Sequence, residues 1–127
     1  MERPAYSPLT IEHFQHPRNV GRLADADGIG RVDDVARETT ITIYLKLAGT
    51  QVGRAAFRTF GCSACVAASS MATELLIGRD LAQAQQLTAA AIDTALGGLP
   101  ADKRYCVELV AEAVRRALAS AQRARIV

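Results

Sequence analysis

The chain has 127 residues, 50% of them apolar, and its fifteen Lys and Arg against thirteen Asp and Glu leave a formal charge of +2. That excess is too small to direct it to nucleic acid, although Arg115, Arg116, Arg123 and Arg125 make the C-terminal end mildly basic. Three cysteines, in a chain long enough to bury its own core, do not fit a small secreted scaffold held by paired disulfides, so a reducing, cytoplasmic setting is expected. No apolar run approaches the ~18 residues of a membrane span. Met1-Glu2-Arg3-Pro4 also lacks the charged-then-apolar layout of a signal peptide, so no membrane partner is expected.

Ser7 suits a helix N-cap and Pro8 the first helical position, which predicts a short helix carrying Leu9, Ile11 and Phe14 and stopped by Pro17. Gly21 to Asp34 turns polar and contains Asp25, Asp27, Gly28 and Gly30. It reads as a connector or mobile rim with one weak edge strand around Gly30 to Val35. Thr39 to Leu47 alternates Ile41, Ile43, Leu45 and Leu47 with Thr40, Thr42, Tyr44 and Lys46, the pattern of a half-buried strand. Ala48-Gly49-Thr50 supplies a turn, and Gln51 to Phe60 returns antiparallel.

After Gly61 the period becomes helical. Cys62, Cys65, Ser69, Ala72 and Leu76 share one stripe up to Gly78. Asp80 caps a short helix through Gln86, Thr88 caps another from Ala89 to Leu96, and Pro100 opens a long final helix with Cys106, Leu109, Val110, Ala113, Val114, Ala117, Leu118 and Ala121 on its apolar stripe. Strands followed by helices, without alternation, predict an α+β fold: a small antiparallel sheet of about three strands with helices packed on one face. No internal repeat or low-complexity linker divides it, so residues 1–127 are expected to form a single domain.

The chemistry-bearing residues are the cysteines. Cys62 and Cys65 stand one helical turn apart at a strand-to-helix junction, where unpaired backbone N–H groups and the positive helix end favour the thiolate. Two thiols make half a zinc site, a redox pair or a pair of small core residues. Cys106 is either a third ligand or a buried apolar residue on the last helix. His13 and His16 read as packing and helix-exit residues rather than a metal pair. Asp25, Asp27, Asp33 and Asp34 lack calcium-loop spacing and read as a solvated loop. No phosphate loop, nucleophile elbow or Ser/His/Asp order is present, and no enzymatic activity is expected.

Three segments resemble a known family. Tyr6-Ser7-Pro8-Leu9-Thr10-Ile11-Glu12-His13-Phe14-Gln15-His16-Pro17-Arg18-Asn19-Val20-Gly21 is similar to the opening signature of the U-type iron–sulfur cluster assembly scaffolds, comprising IscU, SufU and the N-terminal domain of NifU. Phe57-Arg58-Thr59-Phe60-Gly61-Cys62, with the serine-containing helix behind it, resembles the second signature, and Leu99-Pro100-Ala101-Asp102-Lys103-Arg104-Tyr105-Cys106 the third. The matches follow family order across nearly the whole chain and imply a SufE/NifU-like fold.

The resemblance also implies a site that binds a [2Fe–2S] cluster or Zn2+ and accepts sulfur from a cysteine desulfurase for delivery to recipient apoproteins. Cys62 and Cys106 match the second and third family cysteines. Arg37 stands where the first would be, Thr39 replaces the family's aspartate, and Tyr105 replaces the histidine before the third cysteine. Cys65, outside the family pattern, is the candidate to restore a three-thiolate set, with Glu38 or Asp102 as a fourth ligand. An arginine near two thiolates is expected to lower their pKa. The altered Leu99-Pro100-Ala101-Asp102-Lys103 run argues against recruitment of an Hsp70-type chaperone. The alternatives are a degenerate relative that only binds assembly partners, and a C-x-x-C thiol oxidoreductase, which lacks its following parallel strand.

Overall fold

The computed structural model describes residues 6–126, with side chains through 124; Met1–Pro4 and the side chain of Arg125 lie outside them. In chain order the elements are α1 (Pro8–Gln15), β1 (Gly28–Asp34), β2 (Thr39–Ala48), β3 (Gln51–Phe60), α2 (Ser63–Leu76), α3 (Leu81–Ala84), α4 (Ala89–Ala95), a single 3-10 turn (Ala101–Lys103) and α5 (Tyr105–Ile126). The sheet is antiparallel in the order β1-β2-β3. Ile41, Ile43 and Leu45 of β2 and Phe57 of β3 face inward and are buried under α5, which covers β1 and β2, and α2, which covers β3. Thr40 and Thr42 face outward, as the alternation requires, whereas Tyr44 is buried although it stands on their face.

β1 is where the structure departs from the sequence reading. The edge strand expected around Gly30 to Val35 is present but starts earlier and is fully formed: residues 28–34 pair continuously with β2, Gly28 opposite Leu45 and Asp34 opposite Thr39. The reason lies in α5. A Cβ on Gly30 would overlap the carbonyl oxygen of Ala113 and the backbone nitrogen of Ala117, and one on Gly28 would overlap the carbonyl oxygen of Ala117. The two glycines let helix backbone lie against strand backbone, along the i, i+4, i+8 row Ala113, Ala117, Ala121. Side chains of α5 then satisfy the open edge: Ile29 N–H donates to Ser120 Oγ (3.2 Å), and Arg116 donates to the Arg31 carbonyl (2.8 Å).

The other edge is covered too. Phe57 N–H donates to the Asn19 carbonyl (2.9 Å) and Gly21 N–H to that of Phe57 (2.8 Å), which ties the segment after α1 alongside β3. The caps on α1, α3 and α4 are those expected, with Ser7, Asp80 and Thr88 each accepting from a first-turn N–H. The last helix begins later than Pro100. Pro100 is extended and offers no capping side chain, so the chain makes a 3-10 turn before α5 starts at Tyr105.

His13 is a packing residue, as expected. It is 3% exposed; its Nδ1 lies 2.7 Å from Ser70 Oγ, and Ser70 Oγ also accepts the Arg18 N–H at 2.9 Å. Burial, then the Arg18 charge, lower its pKa against the opposing pull of Glu74 and Glu12. A folded-state pKa below the unfolded value means that the native state prefers the neutral ring. Stability from this group is complete above pH ~6.5 and lost as pH falls toward the lowered value, at up to ~1.4 kcal/mol per unit. Urea midpoints between pH 7 and 5.5 should therefore fall in the wild type and fall less in His13→Asn.

Candidate metal centre

Three elements deliver the cysteines to one point. β3 ends at Phe60, Gly61 turns the chain, and Cys62 occupies the N-cap of α2 with extended backbone and no side-chain cap bond. Cys65 follows one turn into α2, and Cys106 projects from the first turn of α5. Cys62 Sγ is 3.7 Å from both Cys65 Sγ and Cys106 Sγ, and Cys65 Sγ is 3.0 Å from Cys106 Sγ. Sulfurs held ~2.3 Å from a tetrahedral zinc stand roughly 3.8 Å from one another. Two of the three separations already match, and the third needs to open by roughly 0.8 Å on that geometry. The donor set is soft, which suits zinc and iron–sulfur clusters alike.

Cys62 is half-buried and forms the mouth, while Cys65 and Cys106 have no exposed surface. The hydrogen bond that Cys65 donates to Cys106 raises the Cys65 pKa, and burial adds to it. That same bond holds Cys106 down, to about 7, against burial and with help from Cys62, the Tyr105 hydroxyl and the Lys103 charge. Within the buried pair Cys106 is thus the more acidic partner, and the proton is retained on Cys65. Contact with Cys62 raises the pKa of Tyr105, so its hydroxyl stays protonated.

The other family positions stand differently from what the sequence suggested. The Arg37 guanidinium stacks 4.4 Å from the Tyr105 ring centroid and pairs with Asp34 at 2.9 Å. The Lys103 charge contributes to the lowered Cys106 pKa. Thr39 is 3% exposed, donates to the Arg37 carbonyl (3.0 Å) and packs under Gly61, where a Cβ would lie 3.1 Å from its methyl. Among the described residues neither Glu38, Asp102 nor any other carboxylate or histidine joins the three sulfurs. Tyr105 is the residue that sequence reasoning missed. It appeared there only as a lost histidine, yet its hydroxyl lies 3.7 Å from Cys62 Sγ and its ring carries the Arg37 guanidinium. Tyr105→Phe keeps the ring, so zinc affinity by competition titration should change less than about threefold, or under 1 kcal/mol. A larger loss would mean that the phenol oxygen is a ligand.

Residues 5–126 match the NifU-like N terminal domain family. The chain is 45% identical over 113 residues to iron-sulfur cluster assembly scaffold protein IscU 1 of Archaeoglobus fulgidus, covering 89% of this chain and 74% of that one. It is 36% identical over 115 residues to the scaffold protein IscU of Aquifex aeolicus, covering 89% and 73%. A crystal structure of a SufU scaffold protein for the SUF system from Fervidobacterium islandicum superposes with a TM-score of 0.69 at 18% identity, covering 90% and 96% of the two chains, which shows a shared fold. The family match over nearly the whole length, the identity to scaffold relatives and the fold agree, and the chain belongs to the NifU-like N-terminal domain family of U-type scaffolds.

Proposed function

We propose that this chain, acting as one domain, is a scaffold or carrier in iron–sulfur cluster assembly rather than an enzyme. Cys62, Cys65 and Cys106 hold its cargo, a [2Fe–2S] cluster, or zinc. The observation that carries this is the convergence of the three sulfurs in a chain of this family, and the resemblance that puts Arg37 at a family cysteine position supports it. Cys65 restores the thiolate count. A fourth position at the mouth is left to sulfide, water or a ligand from a partner, which leaves the cargo removable. Sulfur comes from a cysteine desulfurase and reaches Cys62 first, because Cys62 alone among the three has exposed surface. Val35 (86% exposed) and Phe60 (74%) are apolar side chains at the same end of the sheet as the cysteines and suit a docked partner. Recipient apoproteins take the cluster by ligand exchange, in a cytoplasmic setting. Among the described residues no helix is long and apolar enough to cross a membrane.

Anaerobic reconstitution with ferrous iron, cysteine and a desulfurase tests this. The wild type should develop the visible charge-transfer absorption of a cluster, and Cys62→Ser, Cys65→Ser and Cys106→Ser should each lose most of it. A wild type that holds neither cluster nor zinc would instead favour a relative that binds assembly partners without carrying cargo.

A further inference from the structure

The three cysteines differ in access and in spacing. Cys62 is open to solvent, whereas Cys65 and Cys106 are sealed behind it. Their sulfurs, 3.0 Å apart, sit inside the ~3.5–4.0 Å of ordinary non-bonded carbon contact and within roughly 1 Å of the ~2.05 Å disulfide bond. Each is also 3.7 Å from Cys62 Sγ. Sulfur delivered from outside meets one thiol with two more directly behind it. Two family cysteines would provide one resolving thiol; the extra cysteine of this chain makes a complete dithiol.

We propose that the buried pair Cys65 and Cys106 reduces a persulfide formed on Cys62 and releases sulfide within the metal centre. This rests on Cys62 being the sulfur acceptor. Cys106 Sγ, 3.7 Å from Cys62 Sγ, bonds to it as the bond to the terminal, anionic sulfur of the persulfide breaks, and the Cys106 proton passes to that departing sulfur. That sulfur leaves as hydrosulfide with the electron pair. Cys65 gives its proton to the hydrosulfide and bonds to Cys106 Sγ, and Cys62 leaves as a thiolate. In sum, one persulfide and two thiols become one free Cys62, one Cys65–Cys106 disulfide and one molecule of hydrogen sulfide. The two electrons that reduce the sulfane sulfur come from the two thiols. A dithiol reductant of the thioredoxin class must then reopen the disulfide before the three sulfurs can hold cargo, so sulfide release and metal holding alternate.

The test needs neither iron nor desulfurase. The reduced full-length chain is treated anaerobically with inorganic polysulfide, excess reagent and all reductant are removed by gel filtration, and sulfide, intact mass and disulfide positions are followed. The wild type should gain one sulfur, release about one sulfide per chain and finish with Cys65 joined to Cys106 and Cys62 open to alkylation. Cys65→Ala/Cys106→Ala should gain the same sulfur and keep it on Cys62, with sulfide release at least tenfold lower. A wild type that takes up sulfur and retains it, a double variant that releases as much as wild type, or a final disulfide that includes Cys62 each overturns the proposal and leaves Cys62 as acceptor. A wild type that takes up no sulfur on Cys62 overturns both.

Discussion

Gly30→Ala should cost about 3 kcal/mol of stability, at the upper end for overpacking, and weaken metal binding with it. The added methyl would overlap the Ala113 carbonyl oxygen and the Ala117 backbone nitrogen, so trimming a side chain on α5 gives no relief. Either β1 leaves the sheet or α5 shifts away from it. α5 carries Cys106 in its first turn, and Cys106 Sγ must stay near its present 3.7 Å from Cys62 Sγ and within reach of a metal shared with Cys65. A displacement of α5 that accommodates one methyl is comparable with the slack of the site. Urea denaturation should show a lowered midpoint at unchanged slope, and zinc titration of the folded variant should show weakened binding. A variant as stable as wild type would mean that the helix does not press on the strand as described.

Cys65→Ser should weaken zinc binding by roughly a hundredfold to a thousandfold. Structural zinc sites contribute about 10–16 kcal/mol over their ligand set, so one thiolate is worth on the order of 3–4 kcal/mol, and each 1.4 kcal/mol is tenfold. Serine at a fully buried position adds a separate cost, because its hydroxyl needs a partner there, about 1–3 kcal/mol if it finds none. Cys65→Ala separates the two effects. It loses the ligand without burying a hydroxyl, so its zinc affinity should fall as far as that of Cys65→Ser while its metal-free stability falls less. An alanine variant that binds zinc within threefold of wild type would make Cys65 a packing residue.

The β2–β3 hairpin was legible because Ile41 and Ile43 alternate with Thr40 and Thr42 along β2, and Ala48-Gly49-Thr50 turns the chain into a second strand that pairs back along it. The helices after it announce themselves through Asp80 and Thr88, whose short side chains cap them. β1 was obscured for a physical reason. Glycine lowers strand propensity locally, and the benefit of Gly28 and Gly30 appears only when α5 arrives from the far end of the chain. The same separation limits what can be read of the metal centre. Cys62 and Cys65 advertise themselves by spacing, and Cys106 by resemblance, but their convergence depends on how α5 crosses the sheet. Resemblance put Arg37 near the thiolates but gave no sign of its partners, the Tyr105 ring it stacks on and the Asp34 carboxylate it pairs with. Tyr105 could be noticed only as a substitution, since its contact with Cys62 spans from α5 to the start of α2.

Cobalt(II), taken up anaerobically by the reduced chain as a spectroscopic stand-in for zinc, counts the thiolates directly through the intensity of its sulfur-to-cobalt charge-transfer band. The expected result is a tetrahedral spectrum with the intensity of three thiolates in the wild type and two thirds of it in each of Cys62→Ala, Cys65→Ala and Cys106→Ala. A band of two thiolates in the wild type that is unchanged in Cys65→Ala would contradict the assignment of Cys65 as the ligand that stands in for the thiol absent at Arg37.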